Sequence, residues 1–243
     1  MELTATAPVA SASRHARHDT YRNIHKALRA LMFDTLARIG RVDIEDREDL
    51  DATLARLDRL LAHLRSHVAH ENEFIHAAIE ARRPSAAQTT AGQHVEHLAS
   101  IAALADEAQA LRAAAVDQRP PLALRLYRHL ALFIAENLEH MHFEETTNNA
   151  TLWALYSDAE LDEIHGRLVA HLDPRILTEV LGWMAAALNP QELAELVIGM
   201  QREAPPEAMR AALAEIRPRL DERCWARLAR AIGLPPAPGL VEA

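Results

Sequence analysis

The sequence predicts an all-α protein: an up-down four-helix bundle with additional C-terminal helical hairpins. The apolar fraction of 49% is mostly Ala and Leu, with Gly at only 7 and aromatic residues at 4%, a mix with strong intrinsic helix preference. Apolar residues recur three and four apart over long stretches, without the alternation a strand requires. Prolines fall mostly between these stretches, although Gly92 weakens the start of the third helix. The 243 residues accommodate one substantial domain and a compact appendage.

Residues 1–13, rich in Ser and Ala, read as a disordered lead-in. From His15 onward, Tyr21, Ile24, Leu28, Leu31, Met32 and Leu36 form one stripe of a first helix that ends at Gly40. A loop through Val42 to Asp46 leads into a second helix over 47–83, with Leu50, Leu54, Leu57, Leu61, Leu64, Val68, Phe74, Ile75 and Ile79 on its apolar face. Pro84 and Ser85 stop it. A third helix covers 86–116, and Pro120-Pro121 open a fourth through Leu124, Leu126, Leu130, Phe133, Ile134, Leu138, Met141 and Phe143. Short connections favour antiparallel neighbours, so the second and fourth helices should run parallel to each other.

The bundle occupies 14–156, and 157–234 form a helical extension. Ser157 and Glu160 have capping-box spacing. Pro174, Pro190 and Pro206 suit first helical turns, whereas Pro218 interrupts its segment. Trp183, Met184, Met200, Met209 and Trp225 read as packing residues, and 235–243 as a loose tail.

Composition narrows the function. Asp+Glu 35 against Lys+Arg 26 leaves a formal charge of -9, so no net field attracts phosphate and no nucleic-acid partner is expected. No apolar run reaches the ~20 residues of a membrane span, and the opening lacks the charge and apolar core of a secretory signal. A cytoplasmic location without membrane attachment is the expectation. The lone Cys224 can form neither an internal disulfide nor a thiolate-rich zinc site, and reads as inert. An Ala/Leu-rich helical surface permits a homodimer.

Fourteen histidines are the anomaly, and all lie before position 172. His63, His67 and Glu71 follow at four-residue intervals on one helical face, and His140 and Glu144 repeat that spacing on the fourth helix. His67, His140 and His94 each lie about 20 residues from the same end of their helices, hence at one level, whereas His25 falls short by ~8 to 10 Å. His18 therefore competes with His25. Imidazoles and carboxylates on facing helices are ligands that iron accepts, and two carboxylates can bridge two ions. Left unpaired in a core, such groups would carry a desolvation penalty. His15, His76, His165 and His171 read as surface or hydrogen-bonded core histidines, with His63, His70, His129 and His142 intermediate. Glu80, Glu96, Asp106 and Glu107 read as solvent-facing.

The segments LLAHLRSHVAHENEFI and LALFIAENLEHMHFEETTNNATLW resemble the two histidine/glutamate motifs of the hemerythrin-like, or HHE cation-binding, family. NIHKALRALM is similar to that family's first-helix histidine region, and the resemblance spans about residues 15 to 156. It implies a bundle around a non-haem di-iron centre with ligands at His25, His67, Glu71, His94, His140 and Glu144. His18, His63, His97 and His129 are additional or substitute candidates, and Tyr21 and His97 candidates for the layer behind the ligands. The family's oxygen carriers have two third-helix histidines four apart, where this chain has Thr90 and His97 around His94. Their last ligand is an Asp five residues beyond a His, whereas Glu144 is four beyond His140. Four histidines and two glutamates lie between sets that bind dioxygen reversibly and carboxylate-rich sets that favour oxidation. The expectation is a di-iron protein that binds or reduces dioxygen or peroxide, as an oxidase, oxygenase or peroxidase. Manganese and zinc are the alternative metals, and a non-catalytic oxygen-binding, iron-binding or sensing module is the alternative function.

Overall fold

The computed structural model describes residues 17–234. The expected lead-in, His15 and the expected tail lie outside them. Helix α1 (Arg22–Gly40) begins later than its apolar stripe suggested, because Asp19 accepts from the backbone N–H groups of Tyr21 and Arg22, both at 3.1 Å. A carboxylate there satisfies donors that the first turn leaves orphaned. Helix α2 (Arg47–His70) starts in the same way, with Asp46 accepting from Glu48 and Asp49. It continues through a π-helical turn, Glu71–His76, into α3 (Ala77–Arg82). The chain then reverses at Ser85, whose φ is 69°. Glu80 holds this reversal by accepting from the backbone of Ser85 and Ala87 at 2.6 and 2.8 Å, a role its expected solvent-facing position did not include.

Helix α4 (Gln88–Ala113) returns, and α5 (Arg119–Phe143) follows with proline in its first turn. Like α2, α5 runs through a π turn, Glu144–Asn148, into a short α6 (Asn149–Leu155). Helix α1 packs against α2 and α5, and α4 against the same two, which closes a ring of four long helices. Cross-helix pairs show the directions. His25 faces Glu71 while Asp34 meets Arg56; Glu71 faces His94 while Asp58 meets Arg112; His140 meets Gln93 while Arg125 meets Glu107. Each neighbour is therefore antiparallel, and α2 and α5 run parallel.

One end of the ring is filled by Ile39, Leu50, Leu54, Leu57, Leu104, Leu111, Leu126 and Leu130, all buried. Close approach there depends on Gly40, where a Cβ would stand 3.0 Å from the Tyr127 ring.

Helices α7 (Asp158–His171), α8 (Pro174–Ala187), α9 (Pro190–Glu203), α10 (Pro206–Ile216) and α11 (Glu222–Ala231) form the extension. Ser157 and Glu160 make both halves of the capping box, and Pro174, Pro190 and Pro206 each occupy a first turn. Pro218 sits in a short 3-10 turn that ends α10. Helix α8 lies on α1, α10 on α8, and α9 meets α11 around Ala185, Leu193, Val197, Ile216 and Leu228. Trp183 instead reaches the bundle core, with the Arg56 guanidinium 5.0 Å from its ring. Helix α7 covers the opposite end from the leucines: it touches the first π turn and buries Leu161 and Ile164 with Tyr21, Ile75, Ile79 and Leu152. Among the described residues, no helix is long and apolar enough to cross a membrane.

Candidate metal centre

Under α7 the core changes from hydrocarbon to ionisable groups. His25, Glu71, His94, His140 and Glu144 are buried, and His67 is nearly so. They form two overlapping groups that could each hold a metal ion: His25, His67, Glu71 and Glu144, and His94, His140, Glu71 and Glu144. Within each group the ligand atoms lie within 4.8 Å of one another. Both glutamates belong to both groups, the arrangement expected of bridging carboxylates.

Glu71 divides its two oxygens between the groups, whereas Glu144 Oε2 faces histidines of both. Glu71 Oε1 lies 3.2 Å from His67 Nε2 and 3.6 Å from His25 Nε2, while its Oε2 lies 3.4 Å from His94 Nε2. Each oxygen thus serves a different group. Glu144 Oε2 lies 3.2 Å from His140 Nε2 and 3.5 Å from His25 Nε2, and Oε1 lies 3.6 Å from His94 Nε2. His94 and His140 present their Nε2 atoms to each other at 3.0 Å. Two donors ~2.1 Å from one ion stand about 3 Å apart at a right angle, so these separations suit ligands of shared ions.

Hydrogen bonding points the same way. All four oxygens of Glu71 and Glu144, and Nε2 of His25 and His67, are buried without a hydrogen-bond partner among the described residues. Ionised carboxylates in a core with no bonded partner are strongly disfavoured unless a cation compensates them. Burial alone would raise the Glu71 carboxyl, yet His67, His25 and His94 hold it well below the usual carboxylate range. Burial and Glu71 would raise Glu144, but His140 and His94 keep it low as well. Burial would lower His25 and His94, and is outweighed by Glu145 and Glu71 at His25 and by Glu144 and Glu71 at His94. Each is held at about 9. For His67 burial prevails over Glu71 and takes it down to about 4. Two buried carboxylates demand positive charge, and among the protein's own groups protons on His25 and His94 supply it. Buried His/Glu groups of this kind can hold a metal ion.

Behind these side chains lies a supporting layer, most of whose members the sequence reading did not name. His94 Nδ1 donates to Asn72 Oδ1 at 2.8 Å, His140 Nδ1 to Gln93 Oε1 at 2.8 Å, and His25 Nδ1 to Glu145 Oε1 at 3.0 Å. Arg29 grips Glu145 with two further bonds, at 2.6 and 3.0 Å. Such outer bonds fix each ring's tautomer and aim its Nε2 inward. Each outer residue adjoins a ligand in sequence but supports a ligand on another helix, so adjacency was the available signal. Tyr21 lies beside His25: it is fully buried, its ring centroid is 5.1 Å from that of His25, and its hydroxyl oxygen accepts from Asn148 at 3.4 Å.

The structure brings together the six principal candidates and separates most of the substitutes. His18 pairs with Asp162 at 2.6 Å, His63 with Glu179 at 2.8 Å, and His129 with Glu107 at 3.4 Å, all away from the cluster. His97 packs edge-on against the His140 ring, with centroids 4.7 Å apart. The expected mismatch of His25 disappears because α1 is displaced along the bundle. Gly40 meets Tyr127, about eight residues or 12 Å inside α5 rather than at its start. His76, read as an ordinary histidine, is buried against the cluster, its ring stacked on His94 with centroids 4.8 Å apart.

No protein-family model, curated protein or solved structure matches the chain.

Proposed function

We propose that the protein is a hemerythrin-like di-iron protein whose histidine/glutamate centre binds or reduces dioxygen or a peroxide. The supporting observation is the pair of donor groups that share both Glu71 and Glu144. Two iron ions bound there would supply a redox couple and an open coordination position for a small oxidant.

The chain's own part is to hold, neutralise and seclude. His25 and His67 form one donor pair and His94 and His140 the other, with the glutamates spanning them. Glu145, pinned by Arg29, makes His25 the most electron-rich imidazole among the three with a known outer partner, because its support is a carboxylate rather than an amide. Burial, followed by Glu144 and Glu71, holds the Tyr21 phenol well above its usual range, so it stays protonated beside the centre. Asn148 donates to the phenol oxygen, which leaves the hydroxyl proton uncommitted to that contact. Ile75, Leu152, Leu161 and Ile164 keep water from this end of the bundle.

The test is anaerobic titration of the metal-free protein with ferrous iron, followed by addition of dioxygen or peroxide. About two irons per chain and a new visible absorption band are expected, consistent with the two donor groups. No iron uptake overturns the reading. Uptake with no optical or catalytic response overturns the oxygen chemistry and favours a plain iron-binding module, while manganese or zinc in the protein as isolated would reassign the metal.

A further inference from the structure

We propose that His76 is a seventh metal ligand, serving the ion held by His94 and His140; this rests on the reading of the cluster as a metal centre. His76 follows Glu71 by five residues. In a regular α-helix that spacing rotates a side chain about 140° away from its predecessor, out of the site. The π turn Glu71–His76 reduces this difference, since its i→i+5 bonding puts more residues into each turn than an α-helix has. His76 is thereby carried toward the face that bears Glu71. Such turns are uncommon and concentrate at functional sites.

The ring's environment offers no structural role for its nitrogens. His76 is 5% exposed, and both Nδ1 and Nε2 are buried without a hydrogen-bond partner among the described residues. A buried imidazole with neither nitrogen satisfied has lost its hydration and gained nothing in exchange. Its Nε2 lies 3.9 Å from Glu144 Oε1, another buried atom with no partner, and its ring stacks on His94 at 12° between planes. Two ligands ~2.1 Å from one ion are about 3 Å apart when adjacent and about 4 Å when opposite. A cation bound at Glu144 Oε1 therefore lies within reach of His76 Nε2 once the His76 ring turns out of its stack on His94, since two parallel rings cannot both aim their in-plane lone pairs at one ion.

The parallel arm on α5 provides an internal control. It too runs His, three residues, Glu and a π turn, but the fifth residue after Glu144 is Asn149. The Asn149 side-chain amide donates to Asp19 at 2.9 Å and to the Glu145 carbonyl at 3.2 Å, tying down the start of α1. The α5 arm thus spends this position on structure, while the α2 arm places a free imidazole there. The two ions are consequently unequal: three histidines serve one and two serve the other.

Anaerobic titration with cobalt(II), read by visible absorption and by competition with a chelator, tests this in wild-type protein, His76→Leu and His76→Gln. Wild type should take two ions. Both variants should keep one at wild-type affinity and hold the second at least tenfold more weakly, as loss of a supporting group already does at metal sites. Metal-free His76→Leu should melt no lower than wild type, because hydrocarbon replaces an unsatisfied polar ring. Two ions at wild-type affinity in both variants overturn the proposal, as does a clear fall in Tm with both affinities intact. Should His76→Leu fail to fold, His76→Gln carries the same affinity measurement. No cobalt uptake by wild type would instead bring down the metal-centre reading itself.

Discussion

The same four helices build two unlike ends. Toward the start of α2 and α5, the space between them is leucine: Leu50, Leu54 and Leu57 face Leu104, Leu111, Leu126 and Leu130, all essentially without solvent exposure. A few turns further along, it holds His25, Glu71, His94, His140 and Glu144 at the same depth of burial. Hydrocarbon burial stabilises the first end at about 25 cal/mol per Å². The second end withdraws charges from water and recovers that free energy only through mutual pairing or a bound cation. Stability and chemistry are thus separated along the helix axes, and substitutions at the two ends should fail in opposite ways.

The largest effect is expected at Glu144, because it belongs to both donor groups. Glu144→Gln should abolish tight binding of both ions, not one. Its metal-free form should melt somewhat lower than wild type, since the pairing with His140 and His94 that it loses outweighs the relieved repulsion from Glu71. Metal content by elemental analysis and Tm of the metal-free protein check both halves. A variant that still binds two ions would show that the glutamates do not bridge.

Leu57→Ala should do the reverse. Leu57 is wholly buried, and truncating such a side chain costs about 2 to 5 kcal/mol through lost transfer free energy and the cavity left behind. Urea unfolding should show that loss while the folded fraction retains two ions per chain. Impaired metal loading in protein that is still folded would contradict the separation of the two ends.

Glu145→Gln tests a finer difference, within the histidine end. His25 alone among the three supported imidazoles leans on a carboxylate, whereas His94 and His140 lean on amides. Removing that charge should weaken the ion at the His25/His67 position by about 10- to 100-fold and leave the other nearly unchanged. Chelator competition distinguishes this from equal weakening at both positions, which would mean that Glu145 acts only on the fold.

What the sequence revealed follows the reach of local rules. The apolar stripes, the stop at Gly40, the prolines at helix starts and the Ser157/Glu160 box depend on neighbours within one turn, and all are legible. So are His67/Glu71 and His140/Glu144, because four-residue spacing stacks side chains on one face. The choice of His25 over His18 was not legible, since the sliding of α1 against α5 is set by the Gly40–Tyr127 contact, a tertiary fact. His76 was missed for a subtler reason. A π turn shifts helical phase without a compositional mark, so nothing in the spacing set this residue apart from surface or hydrogen-bonded core histidines. Asn72, Gln93 and Glu145 went unnoticed because each supports a ligand on a different helix.

The smallest effect concerns the cover over the histidine end. Glu160 accepts from the Arg82 guanidinium at 2.5 Å and from the Ser157 backbone at 2.8 Å, joining the start of α7 to the end of α3. Arg82 and then the Ser157 bonds hold its carboxyl at about 2, below its ordinary 4.5. A depressed folded-state value means that Glu160 contributes stability above pH 4.5, and that this contribution is lost as pH falls from 4.5 toward 2. The pair is open to solvent, so the effect on global stability is slight and sensitive to salt. Locally it should be visible. Hydrogen exchange in metal-free protein, corrected for the intrinsic pH dependence of exchange, should lose protection across the first turn of α7 in that window. The leucine end around Leu57 should stay protected. Glu160→Gln should show the loosened α7 already at neutral pH; equal protection in variant and wild type would mean that packing of Leu161 and Ile164 alone keeps the cover in place.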